Sequence, residues 1–151
     1  MLREKINDGV KDAMKSQDKL RLSTLRMVNA AIKNADIEAR GAGKDALDDA
    51  ALLALMQKMI KQREESVTLY DQGGRAELAE QERGEIAIIA SFLPKQMSEQ
   101  EMAAAIDAAI AETGAASMKD MGKVVGVLRG KYAGQMDFGK ASALVKAKLS
   151  S

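Results

Sequence analysis

Apolar positions recur at helical spacing along almost the whole chain, and no stretch alternates with the period of two that a half-buried strand requires. The pattern predicts four helices in residues 1–93. The first covers about Leu2–Lys15. The second runs from Lys19 to Ala39 behind an Asp18 cap, with Leu22, Leu25, Val28 and Ile32 inward and Arg26, Asn29, Lys33 and Asp36 as a polar row on another face. Ala39 to Asp45, holding Gly41 and Gly43, reads as a loop. The third helix starts near Asp48 or Asp49 and runs to Gln72, with Leu52, Met56, Met59, Ile60 and Val67 as its core stripe. The fourth covers Arg75–Phe92 with Leu78, Ile86, Ile89 and Leu93 inward.

The sole proline, Pro94, ends this half, because proline and the residue before it both disfavour helix. Ser98 and Glu101 then have the spacing of a capping box. Three shorter helices follow: Glu99–Thr113 closed by Gly114, Met118–Tyr132 opened by Ser117, and Phe138–Leu149 opened by Asp137, burying Phe138, Ala141, Val145 and Leu149. The expected architecture is all-α: an N-terminal helical bundle over residues 1–93 and a small three-helix subdomain over residues 97–151.

Inside the sixth helix stand Gly122, Gly126 and Gly130. A spacing of four puts them on one face. Each costs about 1 kcal/mol relative to alanine in a helix interior. Something must need bare backbone there. One reading is a second helix packed very close, with the alanines Ala104, Ala108 and Ala111 opposite. The other is the backbone of an anionic ligand, since Lys119 and Lys123 lie beside the row. Close packing is the ordinary expectation, and the two are compatible if part of the row is buried.

Composition narrows the chemistry. Cysteine and histidine are absent, which removes disulfides, thiol catalysis, Cys/His zinc sites and histidine triads. Serine–lysine or two-carboxylate chemistry remains formally open. No phosphate-binding loop motif follows a predicted strand. No apolar run approaches the ~20 residues that span a bilayer, so the cytoplasm is the expected place. No cofactor or metal is expected.

The formal charge of +1 hides an uneven distribution. Residues 117–151 hold seven basic and two acidic side chains, a net +5. The basic residues are Lys119, Lys123, Arg129, Lys131, Lys140, Lys146 and Lys148. A solvated face is the usual fate of such lysines, but spaced cations also suit phosphate contacts. Aromatics for base stacking are scarce, so contact with a folded RNA fits better than single-strand binding. Separately, Arg63 falls on the apolar stripe of the third helix. It needs carboxylate partners, and Glu82 and Glu85 on the fourth are the candidates. An ion pair between helices is the ordinary reading; a ligand-facing charged cleft is the alternative.

Several ordered segments resemble the GatB/YqeY family, and most closely its free-standing YqeY-like proteins. They are Leu22-Ser-Thr-Leu-Arg26, Lys61-Gln-Arg-Glu-Glu-Ser66, Gly73-Gly-Arg75, Glu85 through Phe92-Leu-Pro94, and Met121-Gly-Lys-Val-Val-Gly126. The resemblance implies an all-helical protein of two parts. It is similar to the helical and tail regions of the B subunit of glutamine-dependent aminoacyl-tRNA amidotransferase, which contact tRNA. Carried across, the tRNA-facing candidates are Gly122, Lys123 and Gly126 with Lys119 and Arg129; the wider basic set adds Lys131, Lys140 and Lys146. The resemblance also carries an association with carbon–nitrogen ligase activity using glutamine as amide donor. This chain lacks the amidotransferase's ATP- and metal-binding cradle, so that activity would require partner subunits. The expected function is a non-catalytic tRNA-binding module. An accessory component of an amidotransferase and a protein–protein adaptor are the rivals.

Overall fold

The computed structural model describes residues 1–150, and its regular structure there is helical, with no strand. Seven α-helices and one short 3-10 helix follow in order: α1 (Leu2–Ser16), α2 (Lys19–Gly41), α3 (Asp49–Gln72), α4 (Ala76–Ala90), α5 (Glu99–Thr113), the 3-10 helix (Met118–Asp120), α6 (Met121–Tyr132) and α7 (Phe138–Ser150). The all-α expectation holds. Helix ends follow local chemistry. The Asp18 carboxylate accepts from the Arg21 amide at 3.0 Å, and Asp48 accepts from the Ala51 amide at 2.9 Å. Ser98 and Glu101 form the reciprocal capping box, both bonds at 3.1 Å. Gly114, at φ 66°, closes α5.

Helix boundaries differ in places from the sequence reading. Helix α2 runs on to Gly41, into the stretch expected to be a loop. The sixth helix does not start at Ser117, whose side chain caps nothing; a 3-10 turn comes first, and the Asp120 carboxylate accepts from the Ala116 amide at 3.0 Å. That bond, with a weaker one from Ser117 and the charge of Lys123, holds the Asp120 carboxyl below its usual range.

The chain divides into two compact units, Met1–Leu93 and the segment from Pro94 onward. In the first, α3 pairs along most of α4, and α2 packs on both α1 and α4. Its core holds Leu2, Ile6, Val28, Ile32, Leu52, Met56, Met59 and Ile89, with Phe92 and Leu93 half-buried against it. Leu78, expected inward, is 38% exposed. Asp36, expected on an outward polar row, is instead buried. Arg3 grips it with two bonds of 2.8 Å, and the Leu47 amide donates to it at 3.0 Å. The Leu47 carbonyl accepts from Arg3 in turn, at 2.8 Å. This network ties α1, α2 and the approach to α3 together.

In the second unit α5, α6 and α7 pack around Met102, Ala105, Ile106, Ala109, Val124, Leu128, Met136, Ala141 and Val145. Phe138 and Leu149 are half-buried at its margin. The leading segment docks on the turn between α6 and α7: the Met97 amide donates to the Gln135 carbonyl at 2.8 Å, and Gln96 reaches the Gly134 carbonyl at 2.6 Å. Among the described residues no helix is long and apolar enough to cross a membrane.

Candidate nucleic-acid interface

Helix α6 has one face that packs and one that does not. Val124 and Leu128 are fully buried, and Met121, Val125 and Val127 flank them half-buried. At about 100° per residue, Gly122, Gly126 and Gly130 fall together on the opposite side. All three are exposed. A Cβ built on any of them would meet nothing within 4 Å. This corrects the close-packing expectation for the row. Its intended partners, Ala104, Ala108 and Ala111, are also exposed; α5 buries Ala105 and Ala109 instead. The apolar stripe decided the matter, since Val124 and Leu128 turn the glycines outward.

The glycine face is a strip of accessible backbone with cations along its edges. Arg129 lies about 20° to one side of Gly122 in projection, and Lys123 about 100° to the other. Both are exposed, as is Lys119 in the 3-10 turn just before the helix. The Arg129 guanidinium sits 5.7 Å from the centre of the Phe138 ring, which links it to the start of α7. Gly122, Lys123, Gly126 and Arg129 are therefore brought onto one surface, with Lys119 beside its leading end.

The other sequence candidates separate from it. Lys131 projects about half a turn from Gly122 and pairs with Glu112 of α5 at 2.7 Å. That bond raises its pKa. Lys148, on α7, pairs with Asp107 of α5. Lys140 and Lys146 are exposed but belong to another helix, α7, and not to the glycine face of α6. The basic tail is thus Lys123 and Arg129 on either side of the glycine face of α6, Lys119 just before it, and charges elsewhere, not a continuous stripe.

The second candidate site is the Arg63 cluster. Arg63 Nε donates to Glu85 Oε2 at 2.9 Å, and another of its nitrogens donates to the Met59 carbonyl at 3.2 Å. Glu85 is buried and also accepts from Gln81 at 3.4 Å. The ion-pair reading holds for Glu85. Glu82 takes no comparable place: its Oε2 is buried without a hydrogen-bond partner. Burial pushes the Glu82 carboxyl up, the Glu85 charge adds to this, and Arg63 pulls the other way. Among the described residues no group of three or more acidic side chains is placed to hold a metal ion.

Comparison with known proteins places these features in a family. The family described as Yqey-like protein matches residues 3–149. Curated relatives include fungal proteins named altered inheritance of mitochondria protein 41, mitochondrial. The one from Lachancea thermotolerans is 40% identical over 88 residues, covering 58% of this chain and 46% of that protein. The one from Kluyveromyces lactis is 34% identical over 87 residues, covering 58% and 45%. The one from Eremothecium gossypii is 31% identical over 109 residues, covering 71% and 58%. The chain spans about half the length of the curated relatives it matches. With the family match running almost from end to end, this chain belongs to the YqeY-like protein family.

Proposed function

We propose that the chain is a non-catalytic, tRNA-binding helical module whose RNA-facing surface is the glycine face of α6. The observation that carries this reading is the open backbone at Gly122, Gly126 and Gly130, edged by Lys123 and Arg129 with Lys119 next to it. Bare backbone lets a phosphodiester chain approach more closely than any side chain would allow, and the flanking cations neutralise it. A local helix cost without a packing gain also asks for a use outside the fold. The resemblance to the tRNA-contacting regions of the amidotransferase B subunit supplies the class of RNA. Amide transfer itself would belong to partner subunits. The reading puts the chain in a translating compartment, and the cytoplasm is the one we propose; the mitochondrial name belongs to the fungal relatives.

Titration of the purified protein with total tRNA across a salt series tests this. Three cationic contacts predict a log–log slope of about −2 to −3. Lys119→Ala combined with Lys123→Ala flattens it by roughly one to two. No binding at low salt, or equal binding to a DNA duplex with no effect of the double variant, overturns the reading and leaves the adaptor.

A further inference from the structure

Helices α1 and α2 run antiparallel, as the pairings Arg3 with Asp36 and Asn7 with Asn29 require. Along one edge of their contact lies a cleft of about 200 Å³; the residues the tRNA reading uses belong to the other compact unit. Its floor is Ile32 and the buried Asp36. Its walls are polar: Arg3 and Asn7 from α1, and Asn29, Lys33 and Arg40 from α2. These positions follow helical spacing, four apart on α1 and at 29, 33, 36 and 40 on α2, so a single face of each helix supplies them.

Three cations surround one carboxylate, which leaves a formal +2 in the cleft. Asp36 is already saturated by two Arg3 bonds and the Leu47 amide. Arg3 is thereby fixed in orientation, with its Nε outside those contacts. Lys33 and Arg40 are exposed and form no ion pair among the described residues. The Asn29 amide nitrogen donates to Asn7 Oδ1 at 3.3 Å, which leaves the Asn7 amide nitrogen, a donor, outside that bond. The cleft therefore offers donors in excess, with its one acidic group occupied. Its volume lies below the ~300 Å³ at which drug-sized ligand sites begin, so it suits a small group rather than a whole cofactor.

We propose that this cleft binds a phosphomonoester dianion, free or carried on a small organic molecule, with Lys33, Arg40 and Asn7 as its principal ligands and with Asp36, held rigidly by Arg3, in its floor. Two charges on the ligand match two surplus charges on the protein. Lys33 and Arg40 sit at the mouth, where they neutralise the anion without being desolvated beforehand.

Amide chemical-shift titration of the full chain at constant ionic strength is the test. The probes are inorganic phosphate, a nucleoside 5′-monophosphate and dimethyl phosphate. The expected result is saturable shifts clustered at residues 3, 7, 29, 33 and 40 with either of the first two, the tighter one telling free phosphate from a carried one. Lys33→Ala and Arg40→Ala, both exposed, each weaken binding about tenfold and leave the rest of the spectrum in place. Lys119→Ala with Lys123→Ala leaves it unchanged, so this site and the α6 surface succeed or fail separately. Absence of saturable shifts with both monoester probes, indifference to the Lys33 and Arg40 variants, or equally tight dimethyl phosphate overturns the proposal.

Discussion

Arg63 and Glu85 join α3 to α4 through a 2.9 Å bond between side chains that are only 15% and 8% exposed. The guanidinium also covers the Met59 carbonyl, so it satisfies two buried acceptors from one position on an otherwise apolar stripe. Removing it strands a carboxylate inside the bundle beside a second one. Arg63→Ala is expected to lower stability by about 3–5 kcal/mol, read from urea unfolding at neutral pH. A loss under about 0.5 kcal/mol would place the side chain in solvent.

Glu82 gives the opposite sign. Burial raises its folded pKa above the ordinary 4.5, so the folded state prefers it protonated. Its contribution is most favourable below pH 4.5 and is lost as pH rises through the raised value. Glu82→Gln keeps the shape without the charge. The variant should be more stable than the parent at pH 7, and the gap should narrow as pH falls toward 4. Equal stability at both ends of that range would mean that the Glu82 carboxylate is solvated.

Asp36 works in the usual carboxylate direction. The Arg3 bonds first, and the Leu47 amide next, hold its carboxyl at about 2, down from the ordinary 3.8. Its stabilising effect is complete above about pH 4 and disappears as pH falls through about 2. Asp36→Asn should be less stable than the parent at pH 7, with the two curves converging between pH 4 and pH 2. Parallel curves across that window would exclude Asp36 as a source of acid sensitivity.

The helical pattern carried the fold class because an apolar stripe is a property of local sequence, and the stripes around Leu52, Met56 and Met59 or Val124 and Leu128 are the ones buried. What the sequence could not supply was the partner across each stripe. Asp36 looked like one polar residue in a row, and only the antiparallel return of α1 brings Arg3 onto it. Glycine shows the same limit. Close approach does occur in this chain, but at Gly9, where a Cβ would stand 3.1 Å from Leu25 and Phe92, and at Gly84, where it would stand 2.8 Å from Leu20. These lone glycines, unlike the row in α6, are crowded by side chains from elsewhere in their bundle.

The open row supports a prediction in which stability and binding move in opposite directions. Gly126 lies in the middle of α6 with empty space where a Cβ would go. Gly126→Ala should therefore raise the stability of the C-terminal unit by roughly 0.5–1 kcal/mol, from helix propensity alone. Gly122 and Gly130 lie nearer the helix ends, so their alanine variants should add less. If an RNA backbone lies along this face, the same methyl groups hold it away. The triple alanine variant should then melt at a higher temperature while binding tRNA more weakly, at every salt concentration and with an unchanged salt slope, because no cation has been removed. Higher stability with undiminished binding would keep the fold and remove the backbone contact from the tRNA reading. Lower stability would mean that the row packs against protein after all.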